Sequence, residues 1–351
     1  MNCIAPAVCS LLFVTSMAWS APAPGFTSSF EPTDPPTAWN VADNGVSTPS
    51  AGQAHTGKRS LKIADPDDQT GSNARSARIA VEPGKECLVS VWTFLESGDP
   101  QGLGVYLDLL GADGKRLDEA SERSSQRPTM QQGKWTRLLF TVAPPAEAEQ
   151  AGLWLHTFST ATVTCFVDDV ELKLVEPGAL GPAAAWQGGT LEDQGRKVWP
   201  FALRWEHGQS ASLSLPFAEP QDWSRYAGVR FWVHSQAATS STFMVIFNSE
   251  NDASEGIDYF SFKVVLDFEG WKEFVLPFHE LGRSREPVGW NKVDSITLTA
   301  SGWGQTVNPE TVVTLDGFEP VDKAQAGVGG LPSDEAFFTS LDLDLPGMAE
   351  V

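Results

Sequence analysis

Residues 163–174 read VTCFVDDVELKL. Apolar side chains recur there at every second position, the period of a strand with one buried face, not the 3.6-residue period of a helix. The same alternation runs through 88–95 (LVSVWTFL), 104–110 (GVYLDLL), 135–142 (WTRLLFTV) and 151–158 (AGLWLHTF). Glu-Pro-Gly, Ala-Asp-Gly and Gln-Gly turn signals lie between these strands. Further on, 176–189 (EPGALGPAAAWQGG) has the composition of a linker. A second strand series follows at 210–215, 228–234, 243–248, 258–266, 272–276, 295–299 and 311–315. No long stretch shows a helical apolar period.

The two halves repeat one another at low similarity. Each opens on a Glu after an apolar residue, Phe30-Glu31 and Leu191-Glu192. Each then has a His and a Gly ahead of a strand, at His55-Thr56-Gly57 and at His207-Gly208. Each starts a late strand with Trp, at Trp135 and Trp271, and ends on an Asp within an apolar strand, at Asp168 and Asp316. Repeats of this length made only of strands imply two β-sandwiches and not a solenoid. The expected architecture is all-β, two tandem jelly-roll β-sandwich domains at 24–176 and 190–322, joined by a linker at 177–189. Residues 323–351 read as a further linker and the start of a helical domain that the sequence does not complete.

Composition supports this and narrows the function classes. The 351 residues include 31 Gly, 24 Pro, 13 Trp and 20 Phe, which suits short strands and frequent turns. There are 24 Lys and Arg against 45 Asp and Glu, a formal charge of -21. That field repels nucleic acid and anionic membranes, and no basic cluster stands out along the chain to oppose it. Residues 4–19 form an apolar segment followed by small residues, with cleavage sites after Ser20 or Ala23. This reads as an export signal spanning 1–23, although no Lys or Arg precedes it; it is short for a membrane span. The expected location is secreted or periplasmic. Signal removal takes Cys3 and Cys9, leaving Cys87 and Cys165 as one disulfide or as two buried thiols.

Catalytic and metal motifs are missing from the sequence. There is no C-x-x-C pair, H-E-x-x-H, G-x-S-x-G, Walker loop or dinucleotide fingerprint. The mature histidines, His55, His156, His207, His234 and His279, fall in strand or turn contexts.

SFEP at 29–32, HTGKRSLKI at 55–63, the Glu82-Pro83-Gly84-Lys85 strand entry and FVDDVEL at 166–172 together resemble the jelly-roll carbohydrate-binding modules of the galactose-binding-like superfamily. The second half resembles related modules through DWSRYAGVRFWV at 222–233 and GWKEFVLPFHEL at 270–281. The tail FFTSLDLDLPGMAEV, 337–351, is similar to the segment that opens the helical domain of heparinase II/III-type polysaccharide lyases. The resemblance implies non-catalytic polysaccharide binding by two modules that target an attached or partner lyase. It also implies structural calcium, held by Glu31 and Asp168 with carbonyls near Gly57 in the first module, and by Glu192 and Asp316 in the second, with Asp169 a lesser candidate. The alternative for these acids is a strand end facing water.

Alternation locates faces that mix aromatic and polar side chains, as sugar binding requires. In the first half these are Tyr106 and Asp108, Trp154 and His156, with Ser90 and Trp92 expected on the same face. In the second they are Arg230, Trp232 and His234, then Tyr259 and Lys263, with Thr297, Thr299, Asn248 and Trp303 completing one lining. Core packing is the alternative for Trp92, Trp154 and Trp232, and Trp135, Trp223 and Trp271 are read as structural. The net charge favours a neutral glycan unless calcium or a local cluster of Arg or Lys intervenes, with Arg230 and Lys263 as candidate cations. A scaffold that orients a catalytic domain, and a lyase or glycoside hydrolase in its own right, are the competing readings.

Overall fold

A computed structural model describes residues 25–322, apart from 68, 70, 159 and 194. The expected signal segment and the tail after Asp322 lie outside the described residues. The chain divides into two compact units, the first running to Val175 except for Leu139–Thr141, which group with the second, from Glu176 onward. Among the described residues, no helix is long and apolar enough to cross a membrane.

In the first unit the strands are β1 (Gly25–Ser28), β2 (Trp39–Val41), β3 (Ser47–Ser50), β4 (Ser60–Asp65), β5 (Ala74–Ser76), β6 (Ile79–Ala80), β7 (Glu86–Gly98), β8 (Leu103–Leu110), β9 (Trp135–Val142), β10 (Gln150–Thr157) and β11 (Val163–Val175). A short helix, α1 (Asp118–Arg123), follows β8. One sheet has the order β3-β4-β11-β7-β9, with β1 also on β11; the other runs β2-β5-β10-β6, with β8 on the far side of β10. The ladders of β1, β4 and β7 with β11, of β3 with β4, of β5, β6 and β8 with β10, and of β2 with β5 are antiparallel. The alternating apolar sets of both sheets, among them Leu61, Ile63, Val89, Val91 and Val167 from one and Val105, Leu107, Leu153 and Leu155 from the other, are fully buried. This is a β-sandwich.

The second unit adds β12 (Thr190–Glu192), β13 (Ala202–Glu206), β14 (Ser212–Gln221), β15 (Tyr226–Ser235), β16 (Thr242–Asn248), β17 (Tyr259–Val265), β18 (Gly270–Pro277), β19 (Gly282–Ser284), β20 (Val293–Thr299) and β21 (Val312–Asp322). Its sheets run β12-β13-β21-β15-β18 and β14-β20-β16-β17-β19. The core joins Trp205, Phe231, Val233 and Leu315 of the first sheet to Phe243, Phe247, Ile296 and Leu298 of the second. The stretch expected as a linker is part of this unit: Pro182–Ala185 form a 3-10 turn, and Ala183 and Trp186 are buried in the core. Proline and glycine set the turn, but the apolar residues between them pack.

The repeat is real at the level of topology. The last strand of each unit, β11 or β21, enters the middle of its sheet beside β7 or β15. In each, the buried Asp is followed by a ladder irregularity: Asp168 lies opposite Trp92, and Asp316 lies opposite Trp232. The next residue has a left-handed backbone in both units, with φ 43° at Asp169 and 64° at Gly317. Ladder partners share a face, so each Asp stands on the outer side of its sheet with Trp92 or Trp232 and is buried under the loop whose N–H groups it accepts.

Cys87 and Cys165 are both buried free thiols. Cys165 pairs with Leu95, whereas Cys87 lies eight residues back along β7, roughly 27 Å away. A disulfide requires Cα atoms within about 7 Å, so the register excludes the bridge. Burial pushes both thiols up to about 12.

Candidate functional site

In the first unit the outer face of the β5-β10-β8 layer carries the mixed side chains. Trp154 on β10 lies between Arg75 of β5 and Tyr106 of β8 in the ladder. The rings of Tyr106 and Trp154 are 4.9 Å apart, and His156 stacks on Trp154 at 4.5 Å. The His156 ring is fixed by Nδ1, 2.6 Å from the Ser72 carbonyl. The Arg75 guanidinium lies over the Trp154 ring at 4.2 Å. Asp108, one step along β8, accepts hydrogen bonds from Arg75 Nη1 and, at 2.8 Å, from Arg116 Nε. Burial, reinforced by the nearby Glu122, raises the Tyr106 phenol above its ordinary range. The indole Nε1–H of Trp154 is buried and has no hydrogen-bond partner among the described residues. Four expected residues, Tyr106, Asp108, Trp154 and His156, therefore converge.

Trp92 does not join them. It sits on β7, in the opposite sheet, where it stacks on His55 at 3.8 Å. The His55 ring lies between Trp92 and the edge of Trp135, and its Nδ1 is 2.6 Å from Asp169 Oδ2. Burial works against ionisation of Asp169, but hydrogen bonds from His55, Thr56 and Ser29 hold its carboxyl below the usual range. Alternation placed Trp92 on an outward face correctly but could not say of which sheet.

The second unit splits its candidates in the same way. Arg230, Trp232 and His234 lie on β15, while Tyr259 and Lys263 lie on β17 of the other sheet, so no single lining contains them. Arg230 is committed to Glu319 at 2.5 Å, with Glu273 at 3.9 Å, and the Glu319 hydrogen bond raises its pKa. His234 packs on the edge of Trp271 at 5.2 Å. The other sheet offers the better-formed face. Its ladder sets Ser214, Thr297, Ile246 and Ser261 in one row and Ser295, Asn248 and Tyr259 in the next. Lys263 stands opposite Met244 in a neighbouring row. Met244 and Ile246 point away from the core yet are nearly buried, so this face is recessed. Beside it the turn at 302–305 brings Trp303, 51% exposed, edge-on to Tyr259 at 5.8 Å. The Trp303 Nε1–H donates to Tyr259 Oη at 2.7 Å, which holds a large exposed apolar ring in place. In the same turn Gln305 accepts from Thr242 Oγ1 at 2.7 Å, while its own buried Nε2 has no partner among the described residues.

Sequence reading missed Gln305, Met244 and Ile246 here, and Arg75, Arg78 and Arg116 in the first unit. β5 spans only three residues, too short to show alternation, and 302–305 is a turn with no period at all.

The acids expected to hold calcium occupy equivalent places but face N–H groups. Asp168 Oδ2 accepts from the backbone of His55 at 2.7 Å and Thr56 at 3.2 Å, and its Oδ1 accepts from Asp169 at 2.8 Å. Burial raises its pKa despite these bonds. Glu31 Oε1 takes the N–H groups of Lys58 and Arg59, and the Lys58 bond leads in holding its carboxyl below the ordinary range. Asp316 receives the N–H groups of Lys197, Val198 and Trp199. Glu192 lies two strands away from Asp316 across β13, and its carboxylate reaches Arg204 at 3.4 Å. Calcium needs six to eight oxygen ligands. Here backbone N–H groups occupy Asp168, Asp316 and one oxygen of Glu31, and no group of three or more His, Cys, Asp and Glu among the described residues is placed to share an ion. The residues as arranged do not fit the metal; Asp168 and Asp316 instead pin the loops at 55–56 and 197–199.

Residues 215–310 match the family model described as carbohydrate binding domain (family 11). A search of curated protein sequences finds no match. Among solved structures, the chain is similar to the tandem family 22 carbohydrate-binding modules of Paenibacillus barcinonensis Xyn10C, at 15% identity over 87% of this chain and 99% of that one, with a TM-score of 0.33. It is also similar to the C-terminal family 22 module of Clostridium thermocellum Xyn10B, at 16% identity over 42% of this chain and 91% of that one, with a TM-score of 0.30. The matched family and these structural neighbours are carbohydrate-binding modules.

Proposed function

We propose that this chain binds polysaccharide without turning it over, through one face in each unit. The observation that carries the reading is the Trp303–Tyr259 pair on the recessed β17-β16-β20 face, within the segment that matches a carbohydrate-binding family. A pyranose presents C–H bonds on one face and hydroxyls around its rim. The exposed Trp303 ring supplies the flat apolar partner, and Asn248, Ser261 and Thr297 supply hydrogen bonds. In the first unit the half-buried Trp154, backed by Tyr106, plays the apolar part. Two weak sites on one chain gain apparent affinity through effective concentration.

The proposal includes export, supported by the apolar segment at 4–19, and service to an attached or partner lyase, supported by the resemblance of the tail. The test is affinity electrophoresis of the mature chain against a panel of neutral polysaccharides. Retardation is expected, with Trp303→Ala weakening it about tenfold, the loss of one aromatic stacking contact. Equal retardation of the variant would displace the site, blank panels would shift the reading to a scaffold, and cleavage of a glycan by the chain alone would overturn it.

A further inference from the structure

A cleft of about 280 Å³ opens on the first unit, lined by Asn40, Arg75, Ser76, Arg78, Asp108 and Gly152 among others. It lies beside Trp154 and Tyr106, since Asp108 and Gly152 form the next pair along the same ladder. Gly152 leaves the floor without a side chain; a Cβ there would sit 3.4 Å from Arg78 Cγ. The charged groups of the lining are two guanidiniums and one carboxylate. That carboxylate is already held twice, by Arg75 from within the lining and by Arg116 from outside it. Arg116 is further engaged by Asp118 at 2.7 Å and Glu122 at 3.0 Å, so its charge is spent on its own neighbours. Arg78 is exposed and donates to a neutral acceptor, Gln150 Oε1, at 3.4 Å. Arg75 uses one of its five N–H donors on Asp108 and sits over the Trp154 ring.

Resting on the reading that this face holds glycan, we propose that the first unit recognises an anionic sugar, with a uronate carboxylate seated at Arg75 and Arg78. A planar guanidinium matches a carboxylate in bidentate geometry, and charge-assisted hydrogen bonds are about twice as strong as those to a neutral hydroxyl. The chain's overall charge of -21 does not forbid this. Its distant acids are screened beyond about 10 Å at 0.1 M salt, whereas the two guanidiniums act at contact.

The test uses the full mature chain in affinity electrophoresis with polygalacturonate, with the same polymer fully methyl-esterified, and with dextran sulfate. Polygalacturonate is expected to retard the protein. Its ester, which keeps the backbone and loses the charge, is expected to retard it on the order of tenfold less. Arg78→Ala, an exposed substitution that leaves the Asp108 cluster intact, is expected to cost a similar factor with an unchanged circular dichroism spectrum. Equal binding of the ester, full affinity in Arg78→Ala, dextran sulfate binding as tightly as polygalacturonate, or no retardation by polygalacturonate would each overturn the assignment. Retention of a neutral glycan, lost in Trp303→Ala, reports on the second unit. If it persists while polygalacturonate fails, only this inference falls; if both are blank, the glycan-binding reading falls with it.

Discussion

Acidification should destabilise the second unit through His207. This side chain is 2% exposed, and neither ring nitrogen has a hydrogen-bond partner among the described residues. It packs against Trp205, ring centroids 4.1 Å apart, at the end of β13. Burial pushes its pKa down from 6.5 to about 4. The folded protein therefore holds the ring neutral across a pH range in which the unfolded chain protonates it. Between those two values the unfolded state binds more protons, so unfolding free energy falls as pH falls. A tenfold difference in proton affinity between the two states corresponds to about 1.4 kcal/mol, which makes the whole loss about 3 kcal/mol, starting near pH 6.5 and complete near pH 4. The numerous carboxylates also titrate in that range, so the measurement must be a difference. Urea unfolding of the wild type and of His207→Leu, from pH 7 to pH 4, isolates the single group. The variant is expected to gain on the wild type by about 3 kcal/mol over the range, most of it below pH 6. Parallel pH curves for the two proteins, or a His207 ring resonance that titrates near 6.5, would refute the reasoning.

Three further outcomes are expected. Gly57→Ala should cost about 1–2 kcal/mol, because φ is +64° there and an added Cβ would collide with Glu31 Oε1; an unmoved urea midpoint would show that the loop relaxes freely. Cys87 and Cys165, buried and held up near 12, should resist iodoacetamide in the native protein and react once it is unfolded, and mass spectrometry reads the difference. Millimolar calcium should leave the thermal midpoint in place, because Asp168 and Asp316 each already accept three backbone N–H groups; a rise of several degrees, reversed by chelation, would show that the loops can turn carbonyls inward.

The strands were readable because alternation is a local property. Residues 135–142 and 163–174 lie within the observed β9 and β11, and the buried Asp of each half sits at the equivalent bulge. What a strand cannot announce is its neighbour in the sheet. Trp92 shows the same outward phase as Trp154, and Trp232 the same as Tyr259, yet in each unit the two belong to opposite sheets. Ladder partners are chosen by packing of distant segments, and no short window of sequence contains that choice. The segment at 176–189 failed for a related reason: its Pro and Gly content is that of a tether, while the burial of Ala183 and Trp186 depends on a core made elsewhere.

Charge shows the same division. Composition alone fixes a formal charge of -21, and with it the expectation that a polyanion is repelled. Arg75, Arg78 and Arg116 are scattered along short strands and a loop and form no run. Antiparallel pairing of β10 with β5 on one side and β8 on the other brings Arg75 and Arg78 to a single cleft, with Arg116 reaching its Asp108 from outside the lining. The sequence determined the alternating strands, the paired halves and the sign of the overall charge. Only the tertiary structure decided which aromatics share a face and where the arginines meet, because contact electrostatics and stacking act over a few ångströms between residues far apart in the chain.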